Sequence, residues 1–349
     1  MKNIIRVLVV SVLIFATAKI SYAEKNQFGN FKSTEGIKST AAGCAAPAGF
    51  RFLQVNNVKA RINTGGDMWW DLDQLGKYFI PGNTSKRSMF ASSLWIGGED
   101  INNQLKLAAH TYRSNGVDFW TGPLTIDGTA SIDNVTCSDW DHFTVVTREE
   151  VDEFINWFNS TNRNEEFPGY VIPQSIIEYP AHGDVEAGQS YYLAPFKDID
   201  LDGSYDPNNG DYPYYDLNND LCPLLFAGDP DYVPAPTMES ELYPQYYGGI
   251  LVDQVLKGDE TFWWVFNDKG DFHSETNGAS IGIEVRGQAF GFATNDVINN
   301  MTFYSYEVIN RSTYVLTDTY FSPWVDADLG YAFDDFVGCD VERGLGYCY

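Results

Sequence analysis

The sequence predicts a mainly β protein of the β-sandwich type, with one amphipathic helix and one long acidic loop. Short segments with alternating apolar residues recur along most of the 349 residues, and polar turns separate them. Aromatic residues make up 15% of the chain, which favours strands because flat side chains pack well on a pleated surface. Hydrophobic residues make up 44%, which is enough to bury a sizeable core.

Residues 1–23 have the pattern of a secretory signal peptide. Lys2 and Arg6 give a basic start, an apolar run follows, and the small residues of Ser21-Tyr22-Ala23 suit a cleavage site. The apolar run is shorter than a membrane-spanning helix requires. We therefore expect a secreted or cell-surface protein with no transmembrane segment in its mature chain.

The rest of the chain divides by composition. Residues 24–47 are rich in Lys, Ser, Thr, Gly and Ala without periodicity, and they predict a flexible leader. Residues 48–349 predict one β-rich module. Its two halves, about 48–195 and 249–349, are joined by an acidic, Pro-rich loop at 196–248.

The first strand signals lie soon after the leader. Residues 50–62 predict one strand that runs into a turn at residues 63–66. Residues 88–98 and 105–112 predict a hairpin, because two apolar alternating segments flank a short polar turn.

A pair of Trp residues follows the first turn. On a strand, neighbouring side chains point to opposite faces, so Met68 and Trp70 would share a core face. Asp67, Trp69 and Asp71 would lie on the other face. Trp69 is therefore either packed under a neighbouring loop or available to a ligand.

One helix is predicted at about residues 148–159. Thr147 and Glu150 match a capping box, in which each side chain bonds the other residue's backbone amide. Apolar residues follow at helical spacing and predict packing against the flank of a sheet: Val151, Phe154, Ile155 and Phe158.

The strongest chemical signal is the acidic stretch at residues 198–211. Carboxylates alternate along it, and Gly203 stands where a loop around an ion must turn sharply. Calcium takes six to eight oxygen ligands, which closely spaced Asp residues can supply. The predicted ligands are Asp198, Asp200, Asp202, the Ser204 carbonyl, Asp206 and Asp211.

The loop differs from that of a helix-pair calcium sensor. Asn209 stands where a bidentate Glu would be expected, and no amphipathic helices flank the loop. We therefore expect a structural clip that orders a long loop. The alternative is an acidic surface turn without an ion. Asp216 with Asp220 either extends this site or forms a second one. A weaker candidate is Asp326 and Asp328 with Asp334 and Asp335.

Strand signals return after the loop. Phe262, Trp264 and Phe266 share one face of a predicted strand, so Trp264 belongs to the core and Trp263 is either packed or ligand-binding. Residues 281–293 predict another strand. Residues 299–324 predict a hairpin about a turn at residues 310–313.

Five cysteines are present, and an exported chain can form disulfides. Cys339 and Cys348 are close enough to pair across a hairpin, but spacing alone determines no pairing among Cys44, Cys137, Cys222, Cys339 and Cys348. The odd number leaves at least one thiol free or paired outside the chain.

The formal net charge of −26 argues against nucleic-acid binding, because phosphates repel such a surface. His182 with Asp184 invites an acid–base reading, but a loop His bonded to backbone is the alternative. His273 and Glu275 supply two metal ligands and no third. Paired carboxylates near Trp residues could serve glycoside hydrolysis, namely Asp67, Asp71, Asp268 and Glu275.

Several motifs carry a resemblance to a known family. They are VNNVKARINTGGDMWWD at 55–71, SLWIGG at 93–98, YPAHGD at 179–184, FWWVFND at 262–268 and VGCDVERGLGYC at 337–348. Together they resemble the N-terminal part of large secreted proteins of Bacteroidota that carry a C-terminal type IX secretion sorting domain. The resemblance covers about residues 50–349 and transfers no catalytic residue. It implies export and surface display, and it implies that this chain is part of a longer protein whose sorting domain is absent here.

The sequence therefore favours a calcium-stabilised structural or adhesion module of an exported bacterial protein, without enzymatic activity. The alternative is a carbohydrate-binding or glycoside-hydrolase-like module that uses exposed Trp69 and Trp263 with paired carboxylates. A glycan or a cell-surface protein would be the partner in these hypotheses.

Overall fold

The computed structural model describes residues 42–73, 75–214, 256–331 and 333–349. Two antiparallel sheets account for most of the strands, so the mainly β prediction is confirmed. The first sheet has seven strands: β1 (Phe50–Leu53), β2 (Lys59–Asn63), β3 (Asp67–Met68), β4 (Tyr78–Phe79), β5 (Arg87–Asp100), β6 (Leu105–Ala108) and β14 (Leu316–Ala327).

The second sheet has five strands: β7 (Trp120–Thr121), β8 (Thr144–Thr147), β11 (Glu260–Asn267), β12 (Ile283–Gly291) and β13 (Phe303–Asn310). Two separate short hairpins pair β9 (Phe196–Lys197) with β10 (Tyr212–Pro213), and β15 (Val337–Asp340) with β16 (Leu345–Cys348). Both large sheets combine strands from before and after the acidic loop, so the two halves of the sequence interleave.

Helices are short and lie outside the sheets. They are α1 (Asn134–Asp139), α2 (Arg148–Asn159), α3 (Arg163–Glu166) and α4 (Gln174–Ile177), with a 3-10 turn at Val297–Asn300. The predicted helix is confirmed as α2, and its capping box is formed as expected. Among the described helices, none has the length and hydropathy needed to cross a membrane.

The central strand β11 is buried on both faces, which produces a layered arrangement. Phe262, Trp264 and Phe266 enter an inner core between the two sheets. Trp263 and Val265 enter an outer core, where α2 and the segment from Ile176 to Tyr214 cover the second sheet. Trp264 was thus correctly predicted as core.

Two strand predictions were wrong. Residues 50–62 form two strands, because the chain turns at residues 54–58 and β1 pairs with β2. Residues 299–324 form no hairpin, since β13 pairs with β12 in the second sheet while β14 pairs with β5 in the first. The predicted hairpin of β5 and β6 is confirmed.

The chain is held in place before the expected start of order. Cys44 is buried, forms a disulfide with Cys137, and its backbone amide donates to the Gly270 carbonyl at 3.0 Å. Residues 42–47 therefore belong to the folded body. The signal-peptide prediction, most of the predicted leader, Cys222 and the Asp216–Asp220 candidate lie outside the described residues.

Candidate metal centre

The acidic loop is closed at its base by a two-residue ladder. Lys197 pairs with Tyr212, and Phe196 pairs with Pro213. This pairing places Asp198 and Asp211 at the two ends of the loop. Both are nearly inaccessible to solvent, at 1% and 0% exposure, although a carboxylate prefers water.

Asp198 holds the first turn of the loop. Its Oδ1 atom accepts from the amide of Leu201 and its Oδ2 atom from the amide of Gly203, both at 2.7 Å. Gly203 has a φ of +81°, a left-handed conformation that favours glycine. The predicted sharp turn at Gly203 is therefore present.

Asp211 closes the second turn. Its two carboxylate oxygens accept from the amides of Ile199, at 2.7 Å, and Asp206, at 2.9 Å. Asp206 in turn accepts from the amide and the side chain of Asn208. In the structure, both residues shape the loop through hydrogen bonds within it.

Three carboxylates converge inside the loop. Asp198, Asp200 and Asp202 each offer an oxygen, and these oxygens lie within 4.8 Å of one another. Asp200 also accepts from Asn209 at 2.8 Å, and Asp202 accepts from the Ser204 amide at 2.7 Å. Asp206 and Asp211 lie outside this group of three, and a role for the Ser204 carbonyl stays a prediction.

The loop brings several carboxylates together in a partly buried environment. Burial raises the pKa of Asp198, and its neighbour Asp200 adds to the increase. Burial, together with the charges of Asp198 and Asp200, raises the pKa of Asp211 to about 6. Backbone amides oppose both increases, but they do not cancel them. A bound cation would relieve this repulsion.

The donor set fits a hard cation. All three converging groups are carboxylate oxygens, the ligand type that calcium prefers. A carboxylate oxygen has two lone pairs, so one that accepts an amide hydrogen can still bind an ion. Asp198, Asp200 and Asp202 would hold calcium, and the ion would offset most of their charge.

His182 anchors the loop from outside. Its Nε2 atom accepts from the amide of Tyr205 at 2.8 Å, and its Nδ1 atom lies 3.1 Å from the Tyr191 carbonyl. Asp184 accepts from the amides of Glu186 and Ala187. The backbone-bonded reading of His182 is confirmed. The sequence offers no local signal for this anchor, since His182 and Tyr205 are 23 residues apart.

The two Trp residues proposed as ligand-binding are buried. Trp69 is 9% exposed, packs on Tyr78, and donates from its indole to the Tyr304 hydroxyl at 2.8 Å. Its φ of +71° breaks the expected strand alternation, so Trp69 and Trp70 are both buried. Trp263 is 4% exposed and meets Trp140 edge to face.

The carboxylates considered for glycoside hydrolysis have structural partners. Asp67 forms an ion pair with Arg113, and Asp71 forms one with Lys77. Asp268 accepts from the backbone amides of Ile281, Gly282 and Ile283. Glu275 accepts from Thr111, Asn115 and Gly116. No two of these four carboxylates therefore form an exposed pair of the kind that glycoside hydrolysis needs.

His273 does not form a metal site with Glu275. Both of its ring nitrogens face backbone carbonyl oxygens, that of Leu107 at 2.6 Å and that of Asp268 at 2.8 Å. With each ring nitrogen held by a backbone oxygen, neither is left to bind a metal together with Glu275.

Two carboxylates of the weaker acidic candidate near the chain's end accept hydrogen bonds from other residues. Asp326 accepts from the Tyr112 hydroxyl at 2.6 Å, and Asp335 accepts from the amide of Leu329 at 3.0 Å.

Comparison of the chain with protein-family models, with curated proteins and with solved structures finds no match.

Proposed function

We propose that the loop at residues 198–211 binds a calcium ion, and that this ion orders the loop between β9 and β10. The observation that carries the proposal is the convergence of Asp198, Asp200 and Asp202 within 4.8 Å. Without a cation, this arrangement sets like charges side by side in a partly buried loop. With a bound cation, the carboxylates would be held together and the loop would act as a structural clip.

We further propose that the chain serves as a calcium-stabilised structural or adhesion module of a secreted or surface-displayed bacterial protein. Three observations support this role: the signal-peptide pattern at residues 1–23, the resemblance to exported proteins of Bacteroidota, and the charge of −26. The Cys44–Cys137 disulfide adds support, since disulfides persist in oxidising compartments outside the cytosol.

The calcium proposal is tested by melting the mature chain in EDTA and in excess calcium. A ligand that binds only the folded state stabilises it by mass action, by about 2.7 kcal/mol at a hundredfold excess over Kd. We expect EDTA to lower Tm and calcium to restore it. An unchanged melting curve would contradict an ordered calcium site.

Matched variants locate the effect. Asp200→Asn and Asp202→Asn change exposed ligands without altering the loop's size, and we expect them to lose the calcium response. Asp139→Asn removes an exposed charge outside the loop and should keep the response. Equal responses in all three variants would rule out this loop as the site.

The carbohydrate hypothesis gains no support from Trp69 or Trp263, because neither buried indole offers a face to a sugar. A glycan array with the intact chain tests a purely structural role. Specific sugar binding would contradict that role.

A further inference from the structure

β14 forms one edge of the first sheet. It pairs with β5 along its length, and no strand within the described ranges pairs with its opposite edge. At 12 residues it is long for an edge strand. Long apolar edge strands are usually covered, because unpaired backbone groups and apolar side chains attract other chains.

The second sheet does not extend over β14. Leu94 and Ile96 of β5 point into the inner core, and they pair with Pro323 and Phe321 of β14. Directly opposed residues share a face, so Phe321, Pro323 and then Val325 continue the apolar inner face of the sheet. Yet Phe321 is 55% exposed and Val325 is 47% exposed.

We name these three residues the β14 patch. Exposed apolar side chains continue along the chain just beyond the strand, with Tyr331 at 63% and Phe333 at 58% exposure. Scattered apolar residues on a surface are ordinary, but a run of aromatic and β-branched residues on a core-type face indicates a surface that a partner covers.

The charge of the chain segment that carries the patch indicates the partner's chemistry. Residues 316–349 contain seven Asp and Glu residues against a single basic residue, Arg343. A second copy of this chain would bring the same acidic segment, in which Asp318, Asp334 and Glu342 are exposed, and a total charge of −26, which disfavours self-association. A partner with apolar side chains and a basic rim complements both properties of the surface.

We propose that the β14 patch is a docking surface for a basic, apolar segment of another polypeptide. Contact is made through side chains on Phe321, Pro323 and Val325. Pro323 has no amide hydrogen, so a strand added to this edge would lack a hydrogen-bond donor at that position. This interaction is separate from calcium binding.

The proposal is tested with a labelled peptide of alternating Val and Lys, as long as β14, whose binding to the intact chain is followed by fluorescence anisotropy. A matched peptide carries Glu in place of Lys. We expect the Val/Lys peptide to bind at least about tenfold more tightly, and added salt to weaken its binding.

Variants assign the site. Phe321→Thr combined with Val325→Thr changes only exposed side chains and should weaken peptide binding by about tenfold or more. Ile126→Thr combined with Ile177→Thr changes residues of similar exposure, 56% and 48%, elsewhere on the surface. This control should bind the peptide like the wild type, and melting curves verify that both variants fold.

Four outcomes would overturn the proposal. The first is failure of the Val/Lys peptide to bind. The second is equal affinity, either of the two peptides for the wild type or of the two variants for the Val/Lys peptide. The third is a dimer in sedimentation that the patch variant abolishes, which would make a second copy the occupant. The fourth is protection of Phe321 from hydroxyl-radical oxidation in the monomer, which would show that the chain covers its own patch.

Discussion

His110 follows β6 closely in the chain and belongs to a buried polar network. Its Nε2 atom accepts from the amides of Asp118, at 2.7 Å, and Phe119, at 3.3 Å. Burial, together with the charge of nearby Arg113, lowers the pKa of His110 to about 3, although Asp67 opposes the change. The folded chain therefore holds His110 neutral, because a protonated Nε2 could not accept these bonds.

This network predicts a pH dependence of stability. The pKa of His110 is about 3 in the folded state and 6.5 in the unfolded state, so only the unfolded chain takes up this proton between those values. The contribution of neutral His110 to the free energy of unfolding is complete above pH 6.5 and is lost as the pH falls. We expect His110 to contribute at most about 1.4 kcal/mol per pH unit to the loss.

Urea unfolding of the wild type and His110→Gln across this range measures the contribution. The Gln oxygen keeps an acceptor for the amides but does not titrate. All carboxylates are common to the two proteins, so the difference between their pH slopes isolates His110. Identical slopes would show that His110 does not couple folding to protonation.

Contacts of single residues were predictable only where they are local. Asp198, Asp200 and Asp202 converge because one short loop carries them, and their spacing was sufficient to identify the group. Asp118 bonds the Thr276 hydroxyl at 2.5 Å across 158 residues. No periodicity or motif marks a partner so distant, and this explains why the sequence did not reveal the network.

At the scale of elements, β8 leads directly into α2. Thr147 is the last residue of β8, where it pairs with Glu260, and it also caps the helix. Glu150 accepts from the Thr147 amide at 3.0 Å, while the Thr147 hydroxyl accepts from the Glu150 amide at 3.2 Å. The cap therefore joins α2 to the second sheet, and Val151 and Phe154 are buried in the outer core.

Removing the cap should destabilise the fold by a measurable amount. Thr147→Ala leaves the Glu150 amide without its acceptor, and caps of this type contribute about 1 kcal/mol. Glu153→Ala changes an exposed position of the same helix and should alter stability by no more than about 0.5 kcal/mol. Chemical denaturation compares the two. A cap variant as stable as its control would show that α2 is positioned by packing alone.

Elements were predicted well where their signals are local. The capping box and the spacing of apolar residues identified α2 from residue 148 to residue 159. The turn at residues 310–313 was recognised, but a turn does not determine the sheet in which the next strand pairs. Asn310 bonds the Tyr314 carbonyl across this turn, and β14 then pairs with β5, more than 200 residues earlier in the chain.

At the scale of the whole molecule, one disulfide attaches the N-terminal segment to the body. Cys44 and Cys137 are 93 residues apart in sequence, and between them lies most of the first sheet. Cys137 belongs to α1, and its carbonyl accepts from the Thr121 hydroxyl of β7 at 2.5 Å. The bond thus connects the chain preceding the first sheet to the edge of the second.

Closing so long a loop restricts the unfolded chain strongly, and removal of such a bond typically costs about 2–5 kcal/mol. We therefore expect the double variant Cys44→Ala, Cys137→Ala to unfold at lower denaturant than the wild type. Cys339 and Cys348 provide the control. The ladder pairs them with Gly346 and Val337, and both thiols are free. Substituting both by Ser should leave stability within about 0.5 kcal/mol of the wild type.

Peptide mapping under non-reducing conditions checks the same pairing directly. It should recover Cys44 linked to Cys137, with Cys339 and Cys348 labelled by a thiol reagent. Because Cys44 precedes the first strand, a linked pair also requires residues 42–47 to dock on the body, as the Cys44 amide bond to Gly270 implies. Recovery of Cys44 as a free thiol, or linked to Cys222, would contradict this arrangement and separate the N-terminal segment from the fold.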